Sequence, residues 1–381
     1  MKINPIITLL LCCIIVISCK PTENKPNEFI HYLNPSIEPL KSSPAYDNAK
    51  IIKLETSSSC LISVIQQIRM TESFIFILDL EHLYSFTREG KFVAQIGRKG
   101  EGPGEYIVLN TFYIDENKKQ VVIIDDYKNK LLNYDFSGNY ISSVSIPPKA
   151  FQSCSNVQPT SDNKLLCFHM MDMYDTKAYS LFDLDKKTVS GQYFSYQPIS
   201  VENYMFAFSW HPMAKADDEI DIIMPLCDTI YAYTPLSSSF HPKYIIETPK
   251  EMAPKNKINK KAASYNEELS RLSDEGFFTG FKGIFETDTK VLLGCNYEAM
   301  MGYFLFDKVS KTGNYYIYTW DDNTETLPFL DPTYAYENKF VSYVSTETLL
   351  SFKNIQDKDF LESIKDLKED DNPCLILYEF K

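Results

Sequence analysis

Tyr84-Ser85-Phe86-Thr87-Arg88-Glu89-Gly90-Lys91-Phe92-Val93-Ala94-Gln95-Ile96 is repeated, in pattern, by Asn133-Tyr134-Asp135-Phe136-Ser137-Gly138-Asn139-Tyr140-Ile141-Ser142-Ser143-Val144. Gly90 and Gly138 stand 48 residues apart, as do Phe92 and Tyr140, and Ile96 and Val144. In each copy two alternating apolar–polar runs flank a Gly-containing turn, the pattern of a β-hairpin. Looser copies follow at Leu181–Val189, at Ile230–Thr234 and at Tyr303–Asp307 with Gly313. A period of about 40–50 residues with about four short strands per unit is the pattern of a propeller blade.

Working outward, short β-type runs recur at Phe74–Leu78, Val121–Ile124, Leu165–Phe168, Ile220–Met224, Val291–Leu293 and Phe340–Val344. They divide the chain into six units, 60–97, 106–147, 151–197, 203–248, 276–320 and 333–381. The last lacks an outer strand, and Ile51-Ile52-Lys53-Leu54-Glu55 can supply it. That pairing closes the ring at the two chain ends and leaves no open sheet edge at the seam. The expectation is an all-β protein: a six-bladed propeller with four-stranded blades over 49–381. Two charged stretches, 249–275 and 354–371, carry apolar residues at helical spacing (Leu269 and Leu272; Phe360, Leu361, Ile364 and Leu367) and predict two short helical insertions.

The first eighteen residues read as a targeting segment. Lys2 precedes a run from Ile6 to Ile17 broken only by Thr8, too short for a bilayer that needs roughly 20 residues. Val16-Ile17-Ser18-Cys19 resembles a bacterial lipobox, which implies cleavage before Cys19 and a lipid on its sulfur. Residues 19–48 are polar and Pro-rich and read as a flexible tether. The localisation expected is the bacterial cell envelope: an outer-membrane lipoprotein, periplasmic or surface-exposed, with the membrane as partner through its anchor.

Six further cysteines remain (Cys60, Cys154, Cys167, Cys227, Cys295 and Cys374). Cys167, Cys295 and Cys374 lie inside apolar runs and are expected as small buried hydrophobes. With 51 acidic against 38 basic residues the net charge is −13, so no nucleic-acid partner is expected. The 26 Tyr and 25 Phe are read chiefly as packing between blades.

Three features carry a family resemblance: the lipobox, the loop Gly97-Arg98-Lys99-Gly100-Glu101-Gly102-Pro103-Gly104-Glu105-Tyr106, and the terminal Asp371-Asn372-Pro373-Cys374-Leu375-Ile376-Leu377-Tyr378-Glu379-Phe380-Lys381. In these the chain resembles the six-bladed β-propeller lipoproteins of Bacteroidetes, relatives of NHL-repeat propellers. The resemblance implies the fold and no general activity.

Four of the thirteen Gly fall between Gly97 and Gly104, yet the spacing is neither G-x-x-x-x-G-K-[ST] nor G-x-G-x-x-G, so a structural inter-blade turn is favoured over an anion cradle. Counting strands places this loop, both insertions and the 169–177 loop on one face of the ring, where binding is expected. Arg98, Lys99, Glu101, Glu105 and Tyr106 are the candidate binding-face residues. Asp79, Asp125, Asp126, His169, Trp210 and Trp320 are candidates for the channel mouth. Asp79 and the Asp125-Asp126 pair end equivalent runs, which most simply makes them acceptors in turns. No H-E-x-x-H, G-x-S-x-G or EF-hand loop occurs. No catalytic or metal-ligating set and no cofactor is assigned. The function expected is a binding or scaffold module for a glycan, a peptide or an envelope protein; the alternative is a hydrolase or lyase working at the channel mouth.

Overall fold

A computed structural model describes residues 31–33, 40, 43–170, 177–196, 211–248, 250–262, 264–297, 300–317 and 324–380. It is a ring of six four-stranded antiparallel sheets. The innermost strands are Gln67–Met70, Phe112–Asp115, Cys154–Pro159, Met213–Ala216, Phe281–Glu286 and Tyr334–Tyr336. In blades one to five the chain meanders outward through consecutive strands. The sixth blade takes its outermost strand from the other end of the chain. Asn48–Lys53 lies antiparallel to Cys374–Glu379, from Asn48 opposite Glu379 to Lys53 opposite Cys374. The predicted seam is therefore present.

The repeat that discloses the fold is also what joins the blades. Gly90 and Gly138 occupy the turns between third and fourth strands of blades one and two, at φ +84° and +83°. The turns close identically: Gly90 N–H donates to Thr87 O and Gly138 N–H to Asp135 O. Each glycine presses on the outer strand of the preceding blade. A Cβ on Gly90 would stand 2.0 Å from Lys53 O, and one on Gly138 2.9 Å from Gln95 O. Positive φ and close backbone approach together require glycine at both positions.

The core lies between blades rather than at the centre. Buried apolar side chains form five clusters among the described residues. Ile52, Ile68, Ile75, Phe86 and Leu375 join blades six and one; Phe76, Ile96, Tyr106, Phe112 and Tyr134 join one and two. The aromatic excess is used here. Tyr106, Tyr134, Tyr179, Tyr196, Tyr233 and Tyr378 are among the largest fully buried side chains. Several bury the ring between sheets and spend the hydroxyl on a loop carbonyl: Tyr134 on Gly104 O, Tyr179 on Ile223 O and Tyr378 on Pro328 O, each at 2.8 Å. The six cysteines are free thiols and all but Cys227 are buried; burial pushes Cys60, Cys295 and Cys374 up to about 12.

The stretch expected to be a tether differs from that reading from His31 onward. His31–Leu33 adds in parallel to Tyr244–Ile246, making the fourth blade five-stranded. Leu40 bridges Tyr316 on the outer strand of blade five, with Leu40 N–H donating to Tyr315 O and Leu40 O accepting from Ile317 N–H. Tyr46 then packs edge-on against Tyr378 and donates to Leu327 O at 2.6 Å before the closing strand begins. The described pieces, 31–33, Leu40 and Tyr46, thus lie against blades four, five and six in turn. The outer strands offer unpaired backbone groups, and a Pro-interrupted segment satisfies them in short pieces. The signal segment and Cys19 lie outside the described residues.

Both insertions contain helix. Tyr265–Asp274 is capped by Ser264, whose side chain accepts from Glu267 N–H, and buries Leu272. In the other region Thr346–Ser351 and Lys358–Ile364 form two short helices, the second capped by Asp357.

Candidate functional site

The innermost strands of all six blades line a central cavity of about 680 Å³. Its rim is built from turns between first and second strands, including Glu116, Asn117, Lys118, Thr160, Ser161, Asn163 and Asp218. Antiparallel order puts these turns on one face of the ring. The links between blades, and between second and third strands, fall on the other. The Gly-rich loop and the helices of both insertions therefore share a face, as strand counting predicts, while residues 171–176 of the 169–177 loop lie outside the described residues; the rim of the cavity belongs to the opposite, short-turn face. The cavity thus opens on the face opposite the one where strand counting gathers the long loops.

The predicted mouth residues are placed accordingly. Asp79 and Asp125 end the second strands of blades one and two, behind the innermost strands, and neither lines the cavity. Both are fully buried turn acceptors. Asp79 accepts from Glu81 N–H (2.8 Å), His82 N–H (2.7 Å) and Ser63 N–H (3.2 Å). Asp125 accepts from Ile107 N–H (2.7 Å) and Lys128 N–H (3.0 Å). Asp126 is half-buried beside it, and burial together with the Asp125 charge pushes its carboxyl upward. His169 is locked inside blade three, its two ring nitrogens on Gln152 O (2.8 Å) and Ser180 Oγ (2.7 Å). Trp210 and Trp320 lie outside the described residues.

The Gly-rich loop is tied down as an inter-blade turn. Arg98–Lys99 pairs in parallel with Glu105–Tyr106. Glu105 turns inward, its Oε2 accepting from Gly102 N–H at 2.8 Å, and Lys128 Nζ donates to both Gly100 O and Glu105 O at 2.8 Å. Tyr106 is buried and donates to Glu81 O at 3.1 Å. Arg98, Lys99 and Glu101 remain exposed. The inward carboxylate occupies the space a phosphate would need, which is the geometry of a structural turn.

The residues that shape the cavity were not singled out from the sequence. Gln67 and Arg69, from the innermost strand of blade one, reach across to blade three. Gln67 Nε2 donates to Ser155 O at 2.7 Å, and Gln67 Oε1 accepts from Thr111 Oγ1 at 3.1 Å. Arg69 Nη2 donates to Val157 O (2.5 Å) and Asn156 Oδ1 (3.3 Å), and Nη1 to Gln158 Oε1 (3.2 Å). Its guanidinium lies 5.7 Å from the Phe112 ring centroid and interacts with the Tyr334 hydroxyl. Burial pulls its pKa down from the ordinary arginine value. Tyr113, His211, Met213 and Phe285 complete much of the wall. The His211 ring packs on Phe285 at 4.9 Å, and burial pushes its imidazole down to about 4, leaving it neutral at pH 7. The available signal was Gln67 and Arg69 alternating with Ile68 and Met70 just before the Phe74–Leu78 run, which a count of strands per blade would place on the channel axis.

Glu286, at the end of the innermost strand of blade five, belongs to a buried network. Its Oε1 accepts from Tyr244 OH (3.0 Å) and pairs with Lys308 (2.5 Å) and Lys243 (3.4 Å). Lys243 also donates to both oxygens of Asp221 at 2.9 Å. Burial works against both carboxyls. The neighbouring Glu286 charge pushes Asp221 upward, while Asp221 and the two lysines hold Glu286 ionised. The two lysines thus balance this corner of the wall. Among the described residues no group of three or more His, Cys, Asp or Glu is disposed to hold a metal ion.

Comparison with known proteins adds the following. The family described as "Domain of unknown function (DUF4934)" matches residues 30–379. A solved structure of a protein described as exported, from Bacteroides fragilis NCTC 9343, superposes with a TM-score of 0.73 at 20% identity, over 92% of this chain and 99% of that one. A member of the DUF4221 family from Bacteroides vulgatus ATCC 8482 superposes with a TM-score of 0.52 at 9% identity, over 88% and 97%. No curated protein matches. At these identities the likeness is one of fold.

Proposed function

The chain belongs to the DUF4934 family, and from that premise we propose that it is a ligand-binding module of the bacterial cell envelope whose ligand enters the central cavity from the short-turn face. The observation that carries this reading is the cavity itself. About 680 Å³ falls within the range of small-ligand sites, and a mixed wall of aromatic rings, amides and one buried cation is the usual make-up of such a site. A rigid ring also presents these groups without reordering, which lowers the cost of binding. The face with the longer loops is left for protein contacts. The lipobox-like Val16-Ile17-Ser18-Cys19 supports an outer-membrane anchor, and a relative described as exported agrees with export. Binding is favoured over the alternative, a hydrolase or lyase working at the channel mouth, because Gln67, Arg69 and Glu286 on the wall are already engaged by hydrogen bonds and ion pairs with neighbouring protein groups.

The test is a thermal-shift screen of the mature protein against small envelope glycans and short peptides, run in parallel on the double variant Asn117→Trp/Ser161→Trp. Both residues are exposed on the rim, so the indoles narrow the entrance without entering the core. Ligands that stabilise the parent and not the variant support the reading. Stabilisation equal in both places the ligand elsewhere and overturns it.

A further inference from the structure

Arg69 is a buried cation with no counter-charge among the described residues. It is 7% exposed and lines the cavity, yet each partner the structure gives it is neutral: one carbonyl, two side-chain amides, one phenol and one ring face. Its Nε is buried with no hydrogen-bond partner among the described residues. The chain treats other enclosed cations differently. Lys164 pairs with Asp162, Lys243 with Asp221 and Glu286, Lys290 with Asp307, and Lys308 with Glu286. An unpaired charge taken out of water costs several kcal/mol unless something compensates it. Here no compensating charge stands among the described residues, and the guanidinium belongs to a side chain on the cavity wall.

We propose that Arg69 is the anchor for a carboxylate on the ligand; this rests on the cavity-binding reading above and names its ligand's chemistry. The neutral contacts of both terminal nitrogens fix the guanidinium plane; Nη2 has both N–H groups in use and Nε–H is buried, so an incoming carboxylate meets a fixed positive charge and takes a hydrogen bond by displacing one of the neutral partners. Arg69, Lys118, Lys164 and Lys215 share the wall with Asp115, Glu116, Asp218 and Glu286, four charges of each sign, so the wall has no excess cation and one negative charge at Arg69 meets less repulsion from those carboxylates than two would. The carboxylate can come from an acidic sugar or from a peptide C-terminus; the chemistry at Arg69 is the same, and the probes separate the sources.

Isothermal titration of the full mature protein would use D-glucuronate and N-acetylglycine, each beside its methyl ester, and inorganic phosphate. At least one free acid is expected to bind at least tenfold more tightly than its ester, and phosphate no better than the ester. Arg69→Gln should erase the difference between acid and ester. Because Arg69 also ties blade one to blade three, its variant is checked by near-ultraviolet circular dichroism, and Asn117→Trp/Ser161→Trp serves as a second variant that leaves the guanidinium untouched and should block the acid. Equal binding of acid and ester, both blocked by the rim variant, overturns the carboxylate anchor while keeping the cavity as a site. Binding of the acid unaffected by the rim variant overturns both. Absence of binding by both acids at millimolar concentration overturns the anchor.

Discussion

Asn372 offers the sharpest test of how the ring is closed. It is 4% exposed and joins the last strand to the segment that follows the first. Its Oδ1 accepts from Ile62 N–H, and its Nδ2 donates to Glu55 O and Cys60 O, all at 2.8 Å; its own N–H donates to Thr56 Oγ1 at 2.8 Å. Asn372→Ala would strand one donor and two acceptors. An orphaned buried group costs about 1–3 kcal/mol. Cys60 O, fully enclosed, falls near the middle of that range and the two half-buried groups at its lower end, so a loss of about 3–4 kcal/mol is expected. With an m-value of about 3 kcal/mol/M in urea, the unfolding midpoint moves down by about 1 M at unchanged slope. Asn372→Asp keeps the acceptor for Ile62 but turns a carboxylate toward two carbonyls. It should cost at least as much at pH 7, and its deficit should shrink in acid, because the folded state then favours the protonated carboxyl that can donate. Equilibrium urea unfolding followed by circular dichroism reads both. A loss under about 1 kcal/mol for the alanine variant, or an aspartate variant as stable as the parent, would refute the latch.

Other outcomes follow from the same contacts. Tyr179→Phe removes a buried hydroxyl that donates to Ile223 O and lies 3.2 Å from Pro212 O across blades three and four, and should cost about 1–2 kcal/mol in the same assay. Burial raises the Asp331 carboxyl to about 6 and lowers the His211 imidazole to about 4. The Asp331 contribution is present below the unfolded value of 3.8 and is lost as pH rises toward 6. His211 acts oppositely: its neutral form favours folding above 6.5, and that contribution is lost as pH falls toward 4. Unfolding free energy measured between pH 4 and 6.5 should therefore show a more positive slope for Asp331→Asn, and a more negative one for His211→Gln, than for the parent. Cys19→Ser in the full precursor should abolish fatty-acid labelling and release the protein from the membrane fraction; a labelled variant would refute the lipobox reading.

The fold was legible because a blade repeats. Gly90 and Gly138 announce the same turn twice, and the alternation around them fixes strand, face and period together. The seam was legible for the same reason: a blade short of one strand and a lone strand at the other end. The addition of His31–Leu33 and Leu40 to outer strands was not, because parallel addition to an outer edge uses backbone groups and leaves little trace in side-chain pattern. The candidate site was less legible. Asp79, Asp125 and His169 are conspicuous polar residues at strand ends, but their chemistry is spent on turns and on a neighbouring hydroxyl. Arg69 and Gln67 stand in a short strand, Gln67-Ile68-Arg69-Met70, whose position on the axis follows only from counting blades. Which face holds the mouth depends on whether short turns or long loops close over the axis, and composition carries no such information.

The central claim is that a ligand occupies the axis of the ring from the short-turn side. Hydrogen–deuterium exchange of the mature protein, with and without a ligand recovered from the screen, tests it most directly. The account predicts slowed exchange in the rim turns at 116–118, 160–163 and 217–218 and along the innermost strands, with the Gly-rich loop at 97–106 and the helix Tyr265–Asp274 unchanged. Protection confined to that loop and helix, with the rim turns unchanged, would contradict it.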